Sequence, residues 1–209
     1  MTDDSTAERT RATRILDVVT VVLLSVTAVI TAWCGFEASK WGGEMSIAFS
    51  QASSARVQAA SAHATAQAAR QYDLTIYTEW VLAEADGRPE LVTFIEQRFT
   101  PEFLVAFDAW IAEDRASQGP FVMAEYVPPG TTEAAELNAR ADAKFEEALV
   151  DNQRGDDYSL LTVLFALVLF FAALSQHQRA VWRRRTFLAL AGVIAVAGFV
   201  ILLTFPIKI

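Results

Sequence analysis

The chain has 209 residues, 53% of them hydrophobic, a mean hydropathy of +0.28 and a formal net charge of −8. A chain this acidic repels nucleic acid, and with Cys34 as its single cysteine it forms no intramolecular disulfide. The apolar excess is concentrated in three runs, each close to the roughly 20 residues a helix needs to cross about 30 Å of hydrocarbon.

Residues 1–14 form a tail carrying Arg9, Arg11 and Arg14, and residues 15–34 form the first span, with Asp17 near its start. This run reads as an anchor, since no small-x-small cleavage site precedes Trp33. Thr31-Ala32-Trp33-Cys34 departs from a lipoprotein box because Trp33 stands where that box needs a small residue. Cys34 reads as a buried small apolar residue at the membrane boundary.

Residues 35–157 are the only sizeable polar segment. They hold 21 acids against nine bases, a net charge of −12. Within them Ala48, Ala52, Ala55, Ala59, Ala62, Ala66 and Ala69 recur at alternating steps of four and three, a heptad pattern with alanine at both seam positions. Ala38, Trp41 and Met45 carry this seam back toward the first span. No proline interrupts the chain from Ile15 to about Gln71, so span and seam are expected to share one long helix with a weak point at Gly42-Gly43. Glu37 and Lys40 are expected to form a surface pair. Ala134, Leu137, Ala141, Phe145 and Ala148 give a second helix, expected to run through Gly155 into the second span. The two arms, 35–72 and 131–157, are read as an antiparallel stalk, with a subunit interface as the alternative partner for the alanine face.

Residues 73–130 are read as a small helical tip. Asp73 is expected to cap a helix running to Ala85, stopped at Asp86-Gly87. Pro89 is expected to open a helix through Phe99, and Thr100-Pro101 a helix carrying Phe103, Leu104, Phe107, Trp110 and Ile111. Trp80 and Phe94 are expected to join them in an aromatic core. Pro120, Pro128, Pro129, Gly119 and Gly130 make residues 117–130 an extended strap, pinned by Phe121, Met123 and Tyr126.

Residues 158–175 form the second span and 186–205 the third, joined by the loop 176–185 with Arg179, Arg183, Arg184, Arg185 and no acid. Short basic loops stay in the cytoplasm. Both basic clusters lie inside if the chain starts in the cytosol and crosses three times, which puts 35–157 and the tail 206–209 outside. The fold class expected is an all-α membrane protein: three transmembrane helices with a helical extracytoplasmic domain.

Ala32-Trp33 through Lys40-Trp41-Gly42, the run Arg98 to Phe103 with Ala106 to Trp110, Pro120 to Tyr126, and Asn152 to Tyr158 leading into Leu161 to Ala166 carry a resemblance. Over most of its length the chain resembles a family of bacterial membrane proteins of unknown function. The resemblance implies a three-span protein of the bacterial inner membrane and supplies no activity, ligand or site residue.

The residues point to no catalysis. His63 and His177 fall on opposite sides of the membrane in this topology, too far apart for one metal or one nucleophile–base pair. HExxH, CxxC and glycine-rich phosphate motifs are missing from the sequence. Five acids, Glu146, Glu147, Asp151, Asp156 and Asp157, read as a solvated collar or a cation site, the collar preferred because neighbouring helical acids diverge by about 100°. No catalytic, cofactor or metal residue is therefore assigned. The expected role is non-catalytic: an assembly or interaction component of the bacterial envelope. Its partners are the bilayer and either a second protein or further copies of the chain, with the helix Phe103–Ile111 as the best contact surface. The alternative is a subunit of an oligomeric channel or transport complex lined by Thr20, Thr27 and Thr31. Ala191, Ala195 and Gly198 give the third span a close-packing face.

Overall fold

The computed structural model describes residues 3–178 and 180–208, with side chains from Arg14 onward. Arg179, Ile209 and the side chains of Arg9 and Arg11 lie outside the described residues. The order is α1 (Asp3–Ala85), α2 (Pro89–Glu96), α3 (Pro101–Ala112), a short 3-10 turn (Pro120–Val122), α4 (Thr131–His177) and α5 (Val181–Leu202). The described residues are helical with no strand, and α1, α4 and α5 each contain a stretch long and apolar enough to cross a membrane.

Helix α1 continues further than its sequence suggests. It passes Gly42-Gly43 without a break, and the Ser46 hydroxyl donates to the Gly42 carbonyl at 3.0 Å. It also passes Asp73, so the expected helix start there is corrected. That carboxylate is buried, with partners far along the chain, and is not available to cap α1. The helix ends where Gly87 takes φ +65° and the Arg88 N–H reaches back to the Ala83 carbonyl at 3.0 Å, a left-handed cap that glycine adopts without strain. Helix α2 stops at Glu96, short of the expected Phe99.

The chain divides into two compact units. In the first, residues 1–48 and 146–209, the three apolar stretches pack around Cys34, Trp41, Tyr158, Leu161, Phe165 and Val168. Small residues set the spacing of α5. Ala191 is buried, and a Cβ on Gly198 would come within 3.1 Å of the Phe165 ring, so the close-packing face of the third span is spent on α4 of the same chain. Gly155 lies inside α4 where a Cβ would meet the Ala38 carbonyl at 3.5 Å. Thr20 and Thr27 are buried in this packing, and the Thr20 hydroxyl turns back on the Leu16 carbonyl at 2.7 Å.

In the second unit, residues 49–145, the alanines at 52, 55, 59, 62 and 66 are buried, as are Ala134 and Ala141. Phe49 meets Phe145 edge-on at 5.5 Å, Arg56 pairs with Asp142 at 2.6 Å, and Gly130 lies against the Ala62 carbonyl. These pairs descend α4 as they ascend α1, an antiparallel arrangement within one chain. Phe145 is partly exposed, not a buried seam residue, because its ring reaches sideways to Phe49.

The aromatic core of this unit gathers Trp80 and Ala83 of α1, Ile95 and Phe99, and Phe103, Phe107 and Trp110 of α3. Phe103 stacks on Phe121 at 4.9 Å and Trp80 meets Phe107 edge-on at 5.0 Å, geometries that ring quadrupoles favour. Each indole N–H of this core has an acceptor: Trp80 donates to Glu96 and Trp110 to the Ser117 carbonyl, both at 2.9 Å. Phe94 is not in this core. It is half exposed, with the Arg98 guanidinium 3.3 Å from its ring centroid. Phe121, Met123 and Tyr126 do pin the strap onto the core.

Candidate functional site

The most unusual chemistry among the described residues lies in the first unit, beside the ends of the apolar stretches. On α1, Cys34, Glu37 and Trp41 follow at steps of three and four on one helix face, and all three are buried. Tyr158 of α4 lies against Phe205 at 5.4 Å and donates its hydroxyl hydrogen to the Pro206 carbonyl at 2.9 Å. The chain after α5 then crosses this face. The Lys208 N–H donates to Glu37 Oε2 at 3.0 Å, and Lys208 Nζ stands 3.5 Å from Glu44 Oε2.

Trp41 is approached by two cations, the Arg154 guanidinium 4.5 Å from its ring centroid and Lys208 Nζ at 5.1 Å. Arg154 in turn pairs with Asp151 at 3.3 Å. Burying a carboxylate costs several kcal/mol unless charge and hydrogen bonds compensate, and here Oε2 accepts the Lys208 amide N–H. Two buried atoms, Glu37 Oε1 and Trp41 Nε1, have no hydrogen-bond partner among the described residues. One is an acceptor and the other a donor. The arrangement works as a clasp: it fixes the residues after α5 against α1 and α4.

The expected Glu37–Lys40 surface pair is therefore corrected. Glu37 faces the packed side of α1, while Lys40 is exposed. Cys34 is buried beside the clasp, as expected.

The other polar candidates fall elsewhere. At the far end of the first unit, Arg184 of α5 is buried and pairs with Asp17 of α1 at 2.5 Å. His177 is exposed in this unit, and His63, in the second unit, is exposed and hydrogen-bonded to Gln67 at 3.1 Å. Of the acidic residues 146–157, Asp151 is buried on Arg154, while Asp156 and Asp157 accept from Asn152 and Gln153 one turn back. Among the described residues no group of three or more His, Cys, Asp or Glu side chains is placed to hold a metal.

Asp73 is the buried carboxylate of the second unit, and both its oxygens are satisfied. It accepts from the Thr100 hydroxyl at 2.8 Å and the Tyr126 hydroxyl at 2.9 Å. Thr100 uses the same oxygen to accept the Phe103 N–H at 3.3 Å, so the carboxylate anchors the N-terminal cap of α3. Desolvation first, then the bond to Asp73, pushes the Tyr126 phenol far above its ordinary range.

On α3, Phe103, Ala106, Phe107 and Trp110 serve the core, while Leu104, Val105 and Ile111 face outward. Neither Glu37 nor Asp73 reads as a site in the sequence. For Glu37 a signal existed: it continues the seam from Cys34 to Trp41, where the sequence offers Ala38 one residue away. The chain matches no protein-family model, no curated protein and no solved structure.

Proposed function

We propose that this is a three-span protein of the bacterial inner membrane, with its N-terminus in the cytoplasm and residues 35–157 outside, acting non-catalytically as an assembly or interaction component of the envelope. The single observation that carries the reading is the division of labour on α3. Four of its side chains lock an aromatic core, and that rigidity leaves Leu104, Val105 and Ile111 presented outward in fixed positions. Apolar side chains held rigidly on a surface lose little freedom on binding, which favours a protein partner. The antiparallel pairing of α1 with α4 supports an extracytoplasmic stalk. The buried Arg184 on its counter-ion Asp17 supports a cytoplasmic placement of the basic loop.

The channel reading draws less from the geometry, because Thr20 and Thr27 face the chain's own helices. A photoreactive residue at Leu104 or Val105, illuminated in growing cells, tests the proposal. One reproducible adduct with an envelope protein, lost when the photoreactive residue is moved to the buried Ala106, supports it. Adducts only with lipid, or none at either position, overturn it.

A further inference from the structure

The second unit holds a cleft of about 390 Å³ where α1, the strap and the start of α4 meet. That volume lies in the lower part of the range for small-molecule sites. One wall is polar and comes from α1 alone. His63, Gln67 and Arg70 follow at steps of four and three, so they share a helix face beside the buried seam. The floor is apolar, formed by Phe121, Tyr126 and Pro128.

The floor is held in place before anything binds. The Tyr126 hydroxyl is tied to Asp73 at 2.9 Å, and its ring meets Phe121 edge-on at 5.2 Å. Gly130, at φ +91°, brings the strap so close to α1 that a Cβ would overlap the Ala62 carbonyl. A preformed cleft saves a ligand the cost of ordering it.

The electrostatics of the wall decide which ligand fits. Arg70 makes no hydrogen bond or ion pair to the described residues, although the segment 35–157 around it carries a net charge of −12. The nearest buried acid, Asp73, already spends both oxygens on Thr100 and Tyr126. Gln67 and His63 bond to each other, which fixes their side chains while leaving each with further hydrogen-bonding capacity. A fully hydrated inorganic anion would gain nothing from the aromatic floor, and a neutral apolar molecule nothing from the guanidinium.

The geometry points to a binding site for a small organic carboxylate with a flat apolar body, its ring on Phe121 and Tyr126 and its carboxylate paired with Arg70. Arg presents two parallel N–H donors that match a carboxylate, which gives such a pair both strength and orientation.

The test uses the full chain in lipid nanodiscs and calorimetric titration with benzoate, benzamide and inorganic phosphate. Benzoate is expected to bind saturably, at least about 10-fold more tightly than its neutral isostere benzamide, the factor that corresponds to one charge-assisted contact of roughly 1.4 kcal/mol. Arg70→Gln is expected to remove that advantage, Arg70→Lys to restore part of it, and Arg140→Gln, an exposed arginine of α4, to leave it unchanged. Near-ultraviolet circular dichroism of the aromatic core verifies that each variant is folded. Equal binding of benzoate and benzamide, phosphate binding as tight as benzoate, or no saturable benzoate binding at millimolar concentration overturns the inference.

Discussion

Glu37 and Lys208 lie 171 positions apart in the chain and meet through one hydrogen bond, the Lys208 backbone N–H to Glu37 Oε2 at 3.0 Å. The bond uses the main chain of Lys208, so it does not depend on that residue's charge, and the Lys208 ammonium is left for Glu44 and Trp41. Replacing Glu37 by alanine should therefore release the residues after α5. Hydrogen exchange at the Lys208 amide should rise by at least about 10-fold, the equivalent of losing roughly 1.4 kcal/mol of protection. Unchanged exchange would mean that Tyr158 and Pro206 hold the segment without Glu37.

Asp73 and Tyr126 give a dependence on alkaline pH. The Tyr126 phenol is raised by burial and by its bond to Asp73, and burial also raises Tyr77. A raised folded-state value means that the stabilisation is fully present below the unfolded phenol's value of about 10 and is lost as pH rises through the folded value. Thermal unfolding should therefore fall above about pH 10, and the fall should be smaller in Tyr126→Phe. Phenolate absorbance should show Tyr77 and Tyr126 titrating above the range of an unfolded phenol.

Gly130→Ala should be the most damaging single-methyl change in the second unit. It combines a backbone at φ +91° with an overlap on the Ala62 carbonyl, neither of which a side chain can relieve by rotating. A loss of about 2–4 kcal/mol is expected, measurable as a lower denaturation midpoint. Gly87→Ala, left-handed but with open space around it, should cost less, about 1 kcal/mol.

The Asp17–Arg184 pair is asymmetric: the Arg184 side chain is 11% exposed and the Asp17 side chain 61%. Asp17→Asn leaves a buried guanidinium without its counter-ion. It should cost about 1–2 kcal/mol, less than a fully buried pair because Asp17 is already largely exposed. The double variant Asp17→Asn with Arg184→Leu should recover part of that loss, and a double-mutant cycle on thermal stability reads the coupling directly.

The proposed topology is open to a labelling experiment. With Cys34 replaced by alanine, a cysteine at the exposed Val57 should react with a membrane-impermeant maleimide in intact cells. One at the exposed Trp182 should react only after permeabilisation. The reverse pattern would invert the protein in the membrane.

Much of the fold was legible in the sequence because it rests on periodicity. The alanine steps from Ala48 to Ala66 and the unbroken apolar runs name their own buried faces, and Thr100-Pro101 is a local cap that forms as written. What the sequence hid depends on contacts between distant segments. Asp73 has the composition of a helix start, yet its partners lie 27 and 53 residues away, so it sits inside α1. Phe94 reads as the core residue of this stretch, and only the packing of the segment around α2 against Trp80 decides that Ile95 and Phe99 are buried and Phe94 is not. Glu37 reads as a surface charge until the residues after α5 are known to return to it.

The antiparallel pairing of α1 and α4 also restricts how the gene can change length. Deleting one residue between Phe49 and Ala62 would rotate everything beyond it by about 100° and turn the alanine face away from α4. An added heptad would keep the face but slide Phe49 from Phe145 or Ala62 from Gly130, unless α4 gained a heptad as well. Length variants of this segment should therefore occur as matched whole-heptad changes in both arms.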